Sequence, residues 1–115
     1  MAIPESRFEI GHLSDMTRGW FVGNFSPSML ATGDVEVAVQ RFTAGSHEAA
    51  HFHKLATEIT VILEGQAEMA GRTFSAGDII KLPPGTPTDF RAITDVTTVV
   101  VKIPGATGDK YLLEH

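Results

Sequence analysis

The sequence predicts an all-β protein with a closed or two-sheet antiparallel architecture. Eleven glycines and six prolines in 115 residues indicate many turns, and therefore short strands more than long helices. From Asp34 onward, runs of β-branched and apolar residues alternate with turn residues at a spacing of roughly eight to twelve residues, which is typical of such architectures. Hydrophobic residues make up 43% of the chain and charged residues 20%, so we expect one globular domain with a single core.

The predicted strands follow one another between recognisable turns. The first 34 residues are the least regular, although residues 14–16 favour one helical turn and residues 20–22 an edge strand. Residues 35–42 alternate β-branched with other residues, as a strand with two different faces does. Gly71 and Arg72 predict a hairpin turn, and the proline-rich segment 83–87 ends a strand. The remaining predicted strands are residues 57–63, 66–70, 79–82, 90–93 and 97–103.

Composition excludes several classes of function. The net charge is −5 and the chain has no basic run, which argues against a nucleic-acid or anionic-membrane surface. The absence of cysteine leaves only nitrogen and oxygen ligands for any metal. The N-terminus lacks the pattern of a signal peptide, so we expect a cytoplasmic protein. Residues 113–115, Leu-Glu-His, look like the start of a vector-encoded tag, and His115 is therefore given no role.

The most informative side chains are His51, His53 and Glu58. Residues two apart in a strand point to the same face, so both imidazoles can aim at one point inside a barrel. The connector 54–57 is long enough to turn the chain back, which places Glu58 opposite the pair. Two imidazoles and a carboxylate form a three-sided site for a divalent transition metal (Fe, Mn, Ni, Cu or Zn), and these ligands do not select among the five. The alternative is a buried polar cluster that holds no metal.

Two stretches of the sequence resemble the conserved motifs of the cupin superfamily. Five residues match its first motif in identity and spacing: Gly45, His51, His53, Glu58 and Gly65. Gly77, Pro83 and Gly85 match its second motif, and the resemblance covers about residues 35–103. It implies a single-domain cupin-type antiparallel β-barrel, also called a double-stranded β-helix or jelly roll, over residues 35–112.

The chain departs from the cupin pattern at the second motif. Thr88 stands where a typical cupin has a third histidine, and Ala92 where it has an asparagine. A threonine hydroxyl is a poor ligand for a transition metal, so the fourth position would be filled by solvent or by another residue. His47, in the segment before the histidine pair, is a candidate fourth ligand or substrate contact. The neighbouring Asp89 should point away from Thr88, because side chains alternate along a strand.

Strand alternation also predicts which side chains line a cavity beside the metal. Thr60 and Ile62 should share the inward face of Glu58, and Phe90 that of Thr88, which makes the cavity narrow and mostly apolar. Polar candidates for substrate contact are Gln40, Arg41, Gln66, Glu68, Arg91 and Lys102. For Arg41 the pattern leaves the inward face undecided.

The resemblance implies a metal-dependent enzyme acting on a small molecule, with oxygenase-type or isomerase/lyase-type chemistry at a centre of two histidines and one glutamate. Glu68 and His47 are the first candidates for a catalytic base. The alternative is a non-catalytic cupin module that binds a metal or a small ligand, and a third hypothesis is a scaffold that has lost its metal.

We also expect a homodimer. The N-terminal segment, residues 1–34, should supply an edge strand and, through Trp20, Phe21 and Phe25, part of the dimer contact.

Overall fold

The computed structural model describes residues 7–113, and in this range it is almost entirely β-structure. Two short 3-10 helices, Leu13–Asp15 and Thr17–Gly19, precede the strands. The ten described strands are β1 (Trp20–Val22), β2 (Glu36–Phe42), β3 (His47–Phe52), β4 (Thr57–Glu64), β5 (Gln66–Met69), β6 (Arg72–Ser75), β7 (Ile79–Leu82), β8 (Thr88–Ala92), β9 (Val96–Ile103) and β10 (Tyr111–Leu112).

The strands form two five-stranded sheets in which the paired neighbours are antiparallel. The first sheet has the order β1-β2-β9-β4-β7, and the second has the order β10-β3-β8-β5-β6. From β2 to β9 the chain passes back and forth between the two sheets, so both curl around one interior. This confirms the predicted all-β, double-stranded β-helix fold.

The strands predicted from the sequence are present with small shifts at their ends. The hairpin turn predicted at Gly71 and Arg72 is present one residue earlier, at Ala70 and Gly71, which both have positive φ, and Arg72 begins β6. The strand that carries His51 was predicted without bounds and is β3, and two further strands were not predicted. Strand β6 follows that turn and is only four residues long. Strand β10 is held by Tyr111, which stacks on Phe52 of β3 with ring centroids 5.6 Å apart.

The inner face of the first sheet is built from cross-strand rows. At one end of the barrel, Glu36, Lys102 and Glu58 are direct neighbours on β2, β9 and β4. At the other end, Phe42 lies opposite Val96. The strands therefore carry charged side chains at one end of the interior and apolar side chains at the other.

The core lies at the apolar end. Its buried members are Ile62, Ala67, Met69, Phe90, Ala92 and Val96. Phe42 packs on Phe90 with ring centroids 4.6 Å apart. Complete burial of one such side chain contributes roughly 1.5–3 kcal/mol to folding.

Gly65 shows why the first motif ends in glycine. Its φ is +88°, and a Cβ atom at this position would overlap the carbonyl oxygen of Asp95. Only glycine allows the tight turn that follows β4. The structure contains, among the residues it describes, no helix long and apolar enough to cross a membrane.

Candidate metal centre

Strands β3 and β4 bring the two histidines and the glutamate to the polar end of the barrel. His51 lies on β3, His53 follows directly after this strand, and Glu58 is the second residue of β4. The two imidazole rings lie edge to face, with their centroids 5.5 Å apart. The Nε2 atom of His53 is 3.6 Å from Oε1 of Glu58, and these side chains are only 6% and 12% exposed. His53 and Glu58 thus lie together where little water reaches them, and the half-buried His51 lies beside them.

Backbone carbonyls orient both imidazole rings. Nδ1 of His53 donates a hydrogen bond to the carbonyl oxygen of Asp109, and Nδ1 of His51 lies 3.2 Å from that of Ala49. With the protons on Nδ1, the Nε2 atoms remain free to act as ligands. Nε2 of His53 is buried and has no hydrogen-bond partner. A buried imidazole nitrogen without a partner is unfavourable, and a cation at this point would satisfy it.

The C-terminal segment fixes the connector between His53 and Glu58. The carboxylate of Asp109 accepts hydrogen bonds from the backbone N–H groups of Lys54, Leu55 and Ala56 at 2.9, 2.9 and 3.0 Å. Burial opposes ionisation of Asp109, but these three donors lower the pKa of its carboxyl below the ordinary value. The role of Asp109 could not be predicted from the sequence, because no local pattern links this residue to residues 54–56.

His53 and Glu58 shift each other's pKa values in opposite directions. The Glu58 side chain raises the pKa of His53, with burial acting against it and the Asp109 carbonyl adding to it. Burial would raise the pKa of Glu58, but the side chain of His53 and the charges of Lys102 and His51 lower it. Both shifts favour an ion pair between a protonated His53 and an ionised Glu58.

Two adjoining cavities open beside these residues. The smaller one, about 50 Å³, is lined by His51, Glu58 and the buried hydroxyl of Thr98, which has no hydrogen-bond partner. The larger one, about 410 Å³, lies between the inner face of the first sheet, the N-terminal segment and residues 106–110. Its volume is that of a small-molecule site. Four residues line both cavities: Gln40, Glu48, Glu58 and Val100.

The predicted cavity residues divide into two groups. Thr60, Thr88 and Phe90 line the smaller cavity. Ile62 does not line this cavity. It lies opposite Thr98, one row further from Glu58 than Thr60 is, and it is fully buried in the core. The prediction for Ile62 was wrong because alternation identifies the inward face but not the depth along the barrel.

Some of the polar candidates for substrate contact face the interior, and others do not. Gln40 and Lys102 line the larger cavity, and Nζ of Lys102 lies 4.8 Å from the centre of the Trp20 ring. The register also settles the position of Arg41: it is exposed, between the inward-facing Gln40 and Phe42.

The two residues predicted as catalytic bases face away from the interior, which corrects that prediction. His47 is 54% exposed, lies opposite Arg91 and is 3.9 Å from Asp89. Glu68 is paired with Arg91 at 3.2 Å, between the inward-facing Ala67 and Met69 of β5. Both belong to the outer face of the second sheet, so neither reaches the candidate centre.

A β-bulge in β3 directs a different carboxylate inward. Glu48 lies opposite Phe90 and His51 lies opposite Thr88, so three steps along β3 match two steps along β8. The extra residue changes the alternation, and Glu48 faces the interior together with His51. His47 was proposed because it lies in the segment before the histidine pair. Regular alternation from His51 and His53 would also place His47, and not Glu48, on the inward face.

The chemistry of these three residues suits a metal centre, but their side chains do not have the geometry of a formed metal site. Within residues 7–113, no three histidine, aspartate or glutamate side chains stand in a ready-made coordination geometry. His53 and Glu58 already face each other, and His51 lies beside them with Nε2 free. The three predicted ligands thus share one end of one interior, as their spacing implies.

Comparison with solved structures identifies the same fold in other proteins. An uncharacterised conserved protein with a double-stranded β-helix domain from Klebsiella pneumoniae is 28% identical, with 76% of this chain and 81% of that chain covered and a TM-score of 0.66. KdgF from Halomonas sp. is 23% identical, with 66% and 74% covered and a TM-score of 0.60.

A third neighbour is the oxalate decarboxylase of Bacillus subtilis, which has Mn(II) centres. It is 22% identical, and the match covers 70% of this chain with a TM-score of 0.60. This chain spans about a quarter of its length, since only 24% of that protein is covered. No family model and no curated protein matches the chain.

Proposed function

We propose that this chain, which has the cupin fold, is a metal-dependent enzyme that acts on a small molecule at a centre formed by His51, His53 and Glu58. The observation that carries the proposal is the buried Nε2 atom of His53, which has no hydrogen-bond partner and lies 3.6 Å from a carboxylate oxygen of Glu58. A divalent cation between the two groups would satisfy both of them. The Mn(II) centres of a neighbour with the same fold support this choice.

The metal, its three protein ligands and the larger cavity would have different roles at such a centre. A bound divalent transition metal (Fe, Mn, Ni, Cu or Zn) would supply Lewis acidity to substrate oxygens or a site for dioxygen chemistry, which corresponds to isomerase/lyase-type or oxygenase-type reactions. The two imidazoles and Glu58 hold the cation. The larger cavity receives the substrate, with Trp20 and Phe25 shielding one side from water.

Metal analysis of tag-free protein tests the proposal. We expect about one equivalent of a transition metal in the parent and none in the His51→Ala/His53→Ala double variant. His47→Ala is the matched control, because His47 lies on the outer face and its loss should leave the metal content unchanged. Equal, sub-stoichiometric metal in the parent and the double variant would refute the metal centre.

The second candidate function is a cupin module that binds a metal or small ligand without turnover. It is favoured by the outward position of His47 and Glu68, which removes both predicted catalytic bases from the centre. Oxygen uptake and product formation by iron-loaded protein over a panel of small hydroxylated and carboxylated compounds separate the two functions. Turnover that disappears in the double variant supports the enzyme, and stoichiometric metal without turnover favours the binding module.

We also propose a homodimer with the N-terminal segment at its interface. Strand β1 is an edge of the first sheet, and Phe8 and Ile10 are 57% and 86% exposed. Trp20 and Phe25 line the larger cavity, so the exposed apolar surface left for a partner in this segment includes Phe8, Ile10 and Leu30. Gel filtration should give a dimer that shifts toward monomer in a Phe8→Ser/Ile10→Ser variant. A parent that elutes as a monomer at every concentration would contradict this.

A further inference from the structure

We propose that Glu48 is the fourth protein ligand of the centre and takes the role of the histidine that Thr88 replaces. This inference rests on the proposed metal centre and adds a residue outside the cupin motifs. It predicts a set of two imidazoles and two carboxylates for a divalent cation.

The β-bulge of β3 puts Glu48 within reach of the centre. Glu48 lies on the second sheet and Glu58 on the first, and both line the two adjoining cavities. Glu48 is one inward position away from His51 along β3, because their partners on β8, Phe90 and Thr88, are two residues apart. That separation is about 7 Å, which a glutamate and a histidine side chain can bridge together by converging on one ion.

Thr88 leaves a coordination position open opposite His51. It is the cross-strand partner of His51, and its hydroxyl donates a hydrogen bond to the carbonyl oxygen of Asp89 at 2.8 Å. The hydrogen of the hydroxyl is therefore engaged, and its neutral oxygen is a poor ligand for a transition metal. In contrast, the structure gives the Glu48 carboxylate no ion pair among residues 7–113.

Two buried polar atoms show that this space is built for a polar occupant. Nε2 of His53 and Oγ1 of Thr98 are both buried and both lack a hydrogen-bond partner. Thr98 lines the smaller cavity together with Glu48 and His51. His53 lines neither cavity, but its Nε2 atom lies 3.6 Å from Glu58, which lines both. Such atoms are rare in folded proteins unless a bound ion, water or ligand satisfies them.

A second carboxylate also changes which cation the centre prefers. Two carboxylates balance the charge of a divalent ion, and oxygen ligands favour harder metals such as Mn(II) over softer ones. Mn(II) is therefore the metal with which the affinity of the centre is measured. The alternative role of Glu48, a cavity carboxylate that contacts only the substrate, predicts no change in metal affinity on its removal.

The test is Mn(II) affinity of metal-free protein, measured by calorimetric titration with the Mn(II) spin-resonance signal as a second readout. Glu48→Gln should lower the affinity by at least about tenfold, because the loss of a residue that only supports a metal ligand already costs about that much. Glu48→Asp, which keeps the charge but shortens the reach, should also lose affinity. Glu68→Gln on the outer face is the matched control and should bind like the parent.

A rescue variant separates ligation from a general effect on folding. Thr88→His in the Glu48→Gln background puts an imidazole opposite His51 and should restore affinity to within about threefold of the parent. A loss of less than tenfold in Glu48→Gln, or no rescue by Thr88→His, would overturn the inference. A parent that does not bind Mn(II) or any other divalent metal would instead refute the proposed centre itself.

Discussion

The two ends of the barrel interior are built by the same strands but do opposite things for the protein. At the apolar end, Phe42, Phe90 and Val96 pack together and exclude water. At the polar end, the same strands β2 and β9 carry Glu36 and Lys102. Apolar burial stabilises the fold, whereas buried charges reduce stability unless they are paired. Apolar burial at one end therefore stabilises the fold, while the other end holds the polar side chains of the candidate centre.

The polar end is organised from outside the barrel. Its histidine and connector are fixed by Asp109, which lies beyond the last long strand and reaches back through three backbone hydrogen bonds. The apolar end needs no such support, because close packing already determines its side-chain positions. Substitutions at the two ends should therefore separate stability from binding.

The largest effect on stability is expected at the apolar end. Ile62→Ala removes a fully buried side chain and should lower the free energy of unfolding by about 2–5 kcal/mol, without changing the metal content of the folded protein. Denaturant unfolding measures this. Ile79→Ala, at a residue that is 68% exposed, is the control and should change stability by less than about 0.5 kcal/mol.

Asp109→Asn tests the support of the polar end. Replacing an ionised acceptor of three backbone hydrogen bonds should lower stability by about 2–3 kcal/mol near neutral pH. The lowered pKa of Asp109 means that its contribution is complete above its ordinary value of 3.8 and is lost as the pH falls through the lower folded value. Unfolding curves of parent and variant should therefore converge in strong acid.

Asp95 provides the comparison for that experiment. Its carboxylate accepts a backbone hydrogen bond from Ala44 at 2.8 Å, away from the centre. Asp95→Asn should lower stability by less than Asp109→Asn and leave metal affinity unchanged. An Asp109→Asn variant as stable as the parent, at every pH, would show that the C-terminal segment does not organise the polar end.

Thr98→Val tests the stability of the row at which the apolar end of the interior meets the polar end. The hydroxyl of Thr98 is buried and has no hydrogen-bond partner, so its replacement by a methyl group should raise stability by about 1 kcal/mol in metal-free protein. Thermal unfolding measures the change, with Thr97→Val on the other face of β9 as control. A loss of stability would mean that the hydroxyl is hydrogen-bonded to water or an ion in the smaller cavity.

The smallest effect is expected on the outer face. Glu68→Gln breaks a 3.2 Å ion pair with Arg91 in which both side chains are partly exposed, at 38% and 52%. Such pairs contribute at most about 1 kcal/mol, and the variant should keep full metal affinity. Lost metal binding in this variant would show that the outer face of the second sheet communicates with the centre.

The strand pattern and both motifs could be predicted from the sequence because they depend on local chemistry. Alternation, turn glycines and prolines identified most strands, and the spacing of His51, His53 and Glu58 placed these three residues at one end of the interior. The short strands β6 and β10 were missed because each is stabilised by its partner strand more than by its own sequence.

The sequence by itself determined the fold class and the three residues of the candidate centre. Both follow from periods of two and from short spacings along two consecutive strands, β3 and β4, which lie in different sheets. The tertiary structure alone decided which other groups face that centre. A single extra residue in β3 turns Glu48 inward where regular alternation favours His47, and Asp109 contacts the connector 54–56 from more than fifty positions away. Register and long-range contacts are properties of the paired sheets, and no local pattern in one strand contains them.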